Sequence, residues 1–131
     1  MPTIFTLDQA RELIPWLQKT FDAMQPLLGR LDDVTQAVDL KSRQMRSNGG
    51  ARAEEETNEV QRVRQEVEGE IRQLVDSIVE RGILIKDARR GLFDFQYLRG
   101  ATIVYLCWLA GEPELTYWHA LDSGFAGRQP L

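Results

Sequence analysis

Between Ala10 and Val38, apolar side chains recur in steps of four and three: Ala10, Ile14, Leu17, Phe21, Met24, Leu28 and Leu31, then Thr35 and Val38. A spacing near 3.5 residues keeps one stripe on one face of an α-helix, and such a stripe has to be covered by another element. This seam restricts the fold more than any other feature of the chain. Its start is marked by TLDQ, where Thr6 can cap a helix beginning near Leu7 and Gln9 can return the bond as a capping box. Pro15 and Pro26 fall inside the pattern, and an interior proline costs about 3 kcal/mol. Both sit off the seam, which keeps its phase through Gly29. One long kinked helix to about Arg46 is therefore expected, with a break between Pro26 and Gly29 as the alternative.

SNGGARA, residues 47–53, reads as a loop, and Glu54, Glu55 and Glu56 after it suit the positive end of a second helix. Val60, Val63, Val67, Ile71, Leu74 and Ile78 give that helix its stripe, and Gly82 suits the position just past its end. At Gly82 the period changes. ILIK, GLFDF, ATIVYLCWL and ELTYWHAL are rich in β-branched and aromatic residues and are separated by short polar or glycine-bearing links, the pattern of an antiparallel meander. The tail DSGFAGRQPL reads as irregular chain. The expected fold is α+β in one domain, residues 1–131: a long antiparallel helical hairpin over 6–82, then a small antiparallel β-meander over 83–131. A two-helix hairpin covers its seam poorly alone, so a homodimer through the helices, packed like a coiled coil or four-helix bundle, is the expected assembly.

Charge narrows the partners. Residues 1–82 carry 11 Lys and Arg against 15 Asp and Glu, and residues 83–131 carry 5 of each. No basic face of the kind that neutralises several phosphates is evident, so nucleic acid is not an expected partner. No apolar run reaches the roughly 20 residues needed to cross a bilayer and the N-terminus lacks a secretory pattern, so no membrane partner is expected and the cytoplasm is the expected compartment. The single cysteine agrees with that compartment.

The chemistry-bearing residues gather in LCWLAGEPELTYWH, residues 106–119, which hold Cys107, His119, Trp108 and Trp118. If AGEPE closes a hairpin with Leu109 facing Leu115, Cys107 lies opposite Tyr117 and Tyr105 opposite His119, with Leu106 and Trp118 on the other face. A Cys107 nucleophile assisted by His119 needs hydrogen-bond contact and a lowered thiol pKa. The plainer expectation is a buried, unreactive cysteine within an apolar strand, with Trp108 and Trp118 as core anchors. No CxxC or HxxxH spacing is present, so zinc on Cys107, His119 and Asp94 or Glu112 is not expected; no metal and no cofactor is assigned. Asp122 is a candidate to orient the His119 ring. Glu112 and Glu114 flank Pro113 and read as solvated turn residues. In GFAGR, glycines beside Arg128 could gather backbone N–H groups and a guanidinium around an anion, or Arg128 could pair with Asp94 or Asp122 and pin the tail.

GLFDF, LCW, GEPEL, YWH and GFAGRQP, in that order, resemble a prokaryotic family catalogued as domain of unknown function 2203. The resemblance is most specific over residues 82–131. It implies a bacterial or archaeal source and a helical region followed by a β-rich part, and it carries no activity, cofactor or catalytic residue. Two functions follow from the residues themselves. The first is a non-enzymatic helical module for dimerisation or for an unidentified protein partner. The second is a small anionic-ligand-binding protein or enzyme with a site near Asp94, His119 and Arg128.

Overall fold

The computed structural model describes residues 3–48 and 51–131; the side chains of residues 42, 44–48 and 51–53 are outside the description. Two helices, α1 (Leu7–Asn48) and α2 (Ala51–Glu80), precede five strands: β1 (Leu84–Asp87), β2 (Leu92–Arg99), β3 (Thr102–Leu109), β4 (Tyr117–His119) and β5 (Gln129–Pro130). The strands pair antiparallel in sequence order. The fold is thus α+β, a helical hairpin followed by an antiparallel meander.

The start of α1 carries the expected capping box: the Thr6 backbone N–H donates to Gln9 Oε1 at 2.9 Å, and the Gln9 N–H donates to Thr6 Oγ1 at 3.1 Å. The helix runs unbroken through Pro15, Pro26 and Gly29. Both prolines are exposed, on the side away from the buried seam positions. The loop expected over 47–53 is shorter than the sequence suggests, since Ser47 and Asn48 belong to α1 and Ala51–Ala53 to α2; Gly49 and Gly50 lie outside the described residues. The seam also leaves its heptad slot at one point. Thr35 is exposed, and Val34 takes the inner side of the turn between Leu31 and Val38. A β-branched alkyl side chain gains from partial burial where a hydroxyl prefers water. Helix α2 ends where Gly82 adopts φ +86 and donates its N–H to the Val79 carbonyl at 2.9 Å, a left-handed stop that glycine makes without strain.

The chain divides into two compact units. One contains residues up to Asp22 together with Val75–Leu131; the other is Ala23–Leu74. The division cuts both helices.

In the first unit, one face of the sheet meets the ends of the two helices. Phe5 meets Phe95 edge-on at 5.1 Å, Phe21 meets Phe93 edge-on at 6.3 Å, and Phe93 stacks on Trp108 at 6.0 Å. Ala10, Leu17, Ile78, Ile83 and Leu106 complete this core and are fully enclosed. Gly91 shows how close the approach is: it has φ +79, and a Cβ there would fall 2.6 Å from Ala110 Cβ and 2.7 Å from the Phe21 ring. Polar bonds fasten the β3–β4 link to α1. Gln18 Oε1 accepts from the Gly111 N–H at 2.8 Å, and Arg11 Nε donates to the Leu115 carbonyl at 3.2 Å. The guanidinium of Arg81 lies 3.7 Å over the Trp16 ring.

In the second unit, α1 and α2 run as a hairpin joined across their exposed sides by Lys41 and Glu56 at 2.6 Å. Among the described residues of this unit, Met24, Val38 and Val67 are the buried apolar side chains. Leu28, Leu31, Val34, Val60, Val63, Ile71 and Leu74 remain half-exposed.

Candidate functional site

The second face of the sheet holds the polar residues. Strand pairing places Asp94 beside Cys107, Cys107 beside Tyr117, and Tyr105 beside His119. Because side chains alternate along a strand, these five share one face, while Phe93, Phe95, Leu106, Trp108 and Trp118 take the other. The register agrees with the sequence expectation for Cys107, Tyr117, Tyr105, His119, Leu106 and Trp118. What the sequence left unassigned was the neighbour on the far side of β3. That neighbour is Asp94.

The tail following β4 covers this face. It is not irregular throughout: Phe125–Gly127 forms a 3₁₀ turn and Gln129–Pro130 pairs with β4 as the fifth strand. Under this cover Asp94, Cys107 and His119 are almost completely buried, with Asp94 1% and His119 3% exposed. His119 Nε2 lies 3.0 Å from Asp94 Oδ2, and its Nδ1 lies 2.8 Å from the Ala120 carbonyl. A carbonyl only accepts, so Nδ1 carries a proton. The ring is oriented by Asp94 and by the Ala120 carbonyl, not by Asp122, which is exposed. Burial raises the Asp94 carboxyl above its ordinary range against the opposing pull of His119. Oδ1 of Asp94 accepts no hydrogen bond of acceptable geometry, although the Cys107 thiol lies beside the carboxylate.

This geometry does not suit a cysteine nucleophile. Both ring nitrogens of His119 are already engaged, so neither is free to take the thiol proton. Burial first, and the Asp94 charge second, push the Cys107 thiol up to about 12, the reverse of what activation requires. The three side chains do converge in another sense. One donor atom from each of Asp94, Cys107 and His119 lies within 4.8 Å of the other two, the one such group of three or more among the described residues.

A small recess of about 130 Å³ adjoins Asp94 and His119, with Lys86, Tyr105, Ser123 and Phe125 among its walls. The Lys86 ammonium lies 4.5 Å over the Tyr105 ring, and His119 meets the same ring edge-on at 5.4 Å.

Arg128 stands apart from this pair. Its guanidinium donates to Glu112 Oε1 at 2.6 Å and to the Cys107 carbonyl at 3.1 Å, and it lies 4.1 Å over the Tyr117 ring and 4.7 Å over Phe125. It pins the tail as one sequence reading expected, but to Glu112 rather than to Asp94 or Asp122. Glu112 is correspondingly no solvated turn carboxylate. Besides Arg128 it accepts the Leu109 N–H at 2.7 Å, and its carbonyl accepts from Trp108 Nε1 at 3.0 Å. The structure therefore brings Asp94 and His119 together and leaves Arg128 in a separate cluster with Glu112. Trp118 also departs from expectation. It is half-buried with Arg99 4.2 Å over its ring, while Trp108 is fully enclosed, because Trp118 sits on a three-residue strand paired with only two residues of β5.

The family model described as "Uncharacterized conserved protein (DUF2203)" matches residues 3–131. No curated protein and no solved structure matches the chain. No helix among the described residues is long and apolar enough to cross a membrane.

Proposed function

The chain belongs to the DUF2203 family, and we propose that it is a non-enzymatic helical module whose Ala23–Leu74 unit dimerises with a second copy of itself. The observation that carries this reading is the incomplete core of that unit. Leu28, Leu31, Val34, Val60, Val63, Ile71 and Leu74 lie at seam positions and stay half-exposed. On the surface, α1 and α2 leave an apolar recess of about 240 Å³ in which Val34, Ala37, Val60 and Val63 sit between Asp33 and Glu59. Two helices can cover only part of each other's stripe, and a second hairpin related by a two-fold axis supplies the missing half with the same residues. The helical stretches in the unit are roughly 36 Å long, enough for coiled-coil-like packing over several turns. A cytoplasm is the setting that fits a chain with one buried, unpaired cysteine, and a prokaryotic source is what the family resemblance implies.

A small-anion or catalytic site built jointly by Asp94, His119 and Arg128 has less support. Arg128 is taken up by Glu112 and is absent from the residues that wall the recess beside His119.

Sedimentation equilibrium tests the proposal. The 15.0 kDa chain is expected to sediment at about 30 kDa at micromolar concentration, and Val63→Asp, which buries a charge in the shared face, is expected to shift it toward monomer. A wild-type mass of 15.0 kDa across the whole concentration range contradicts it.

A further inference from the structure

We propose that Asp94, Cys107 and His119 bind one divalent cation of the zinc class, leaving a fourth coordination position toward the recess walled by Lys86, Tyr105, Ser123 and Phe125. The site is independent of the dimer proposed above. Sequence spacing gave no sign of it, because the three donors come one each from β2, β3 and β4 and meet only through strand pairing.

Four observations converge. The donor atoms are already gathered within 4.8 Å of one another. In a tetrahedral zinc site, with metal–sulfur near 2.3 Å and metal–nitrogen or –oxygen near 2.0–2.1 Å, ligand atoms stand roughly 3.3–3.6 Å apart. His119 Nε2 and Asp94 Oδ2, at 3.0 Å, would need to part by a few tenths of an ångström. Second, Nδ1 of His119 faces the Ala120 carbonyl and so carries its proton there. That is the outer contact which fixes a metal-binding imidazole and leaves Nε2 as the ligand atom. With Nε2 deprotonated, its lone pair faces a carboxylate oxygen, and one positive charge is needed between them: a proton or a metal ion.

Third, Asp94 Oδ1 is buried and accepts no well-formed hydrogen bond, and the donor beside the carboxylate on β3 is the Cys107 thiol, a weak donor and itself one of the three ligands. Fourth, the charges match. A thiolate, a carboxylate and a neutral imidazole carry two negative charges, and a divalent cation brings the buried cluster to zero, whereas ionised groups left uncompensated at this depth are costly. A sulfur, a nitrogen and an oxygen donor together suit zinc better than magnesium or calcium, which prefer oxygen alone. Three protein ligands with one position open toward a recess is the arrangement of zinc sites that hold water or a small ligand. Lys86 on the recess wall favours an anionic occupant of that position.

Cobalt(II) is the probe. It replaces zinc at such sites and its absorption reports both thiolate ligation and tetrahedral geometry. The full chain is stripped with a chelator and offered Co²⁺, both as the native protein and during refolding from denaturant, so that slow entry to a buried site is not mistaken for lack of one. The expected result is one Co²⁺ per chain with a thiolate-to-cobalt charge-transfer band and intense visible bands, both displaced by Zn²⁺. Cys107→Ser, a near-isosteric change, is expected to remove the charge-transfer band and weaken binding at least about tenfold. His119→Gln is expected to remove the tetrahedral visible bands. Absence of the thiolate band from folded wild type under both loading conditions overturns the proposal. So does Co²⁺ binding of equal affinity in wild type and folded Cys107→Ser, which would place the ion on surface carboxylates.

Discussion

In the sheet-based unit, Phe93, Phe95, Leu106 and Trp108 are fully enclosed within one chain. In the Ala23–Leu74 unit, Leu28, Leu31, Val34, Val60 and Val63 stay half-exposed along the same kind of apolar stripe. The difference comes from geometry rather than composition. A sheet presents a broad face that two helix ends and Phe5 can cover, whereas two helices side by side touch along one line only. Stability of the first unit should therefore belong to the single chain, and stability of the second should depend on protein concentration.

The strongest attempt to break that comparison is Trp108→Ala. It removes a fully buried ring that stacks on Phe93 and donates to the Glu112 carbonyl, and a loss of about 3–5 kcal/mol is expected in urea unfolding, independent of protein concentration. Trp118→Ala sharpens the same point: its half-buried ring should cost about half as much, and an equal loss would show that β4 is enclosed more deeply than its exposure indicates. Next comes Arg128→Ala, which strips Glu112 and the Cys107 carbonyl of a donor. About 1–3 kcal/mol is expected, with faster proteolysis of the freed tail after Ala120 as the diagnostic sign.

Smaller effects probe the helices. Thr6→Ala removes one half of the capping box and should lower stability by about 1 kcal/mol, read by thermal or urea unfolding. Thr35→Ala should change stability by less than about 0.5 kcal/mol, because Thr35 is exposed despite its heptad slot. A larger loss at Thr35 would return it to the buried seam and displace Val34.

Periodicity made the architecture legible. The four-three rhythm, the Thr6–Gln9 box, Gly82 and the change to short alternating strands each report a local backbone preference, and each is found where the sequence places it, apart from Thr35, whose inner place Val34 takes. Register around Cys107 was legible for the same reason, since a short hairpin link leaves few ways to align Tyr105 with His119. Three things were not. The pairing of Asp94 with Cys107 is set by the tight β2–β3 turn at Gly100 and Ala101, between the paired Arg99 and Thr102, a turn too short to be read as a register from the links alone. Arg128 found Glu112 because the tail folds back as β5, and a two-residue strand has too little sequence to announce itself. The loop over 47–53 shortened because alanine and the charged residues around the two glycines are good helix formers, and the tertiary hairpin extends both helices toward Gly49 and Gly50. The candidate site was thus half visible: His119 and Asp94 were singled out separately, their contact came only from the fold, and Arg128 proved to belong to a neighbouring cluster.

Amide hydrogen exchange at two widely separated protein concentrations tests the contrast between the units most directly. On dilution, amides of the helical stretch between Val60 and Leu74 should lose protection, while those of β2 and β3 keep theirs. Protection in both regions that does not change with concentration would contradict the claim that the helical unit completes its core with a second copy.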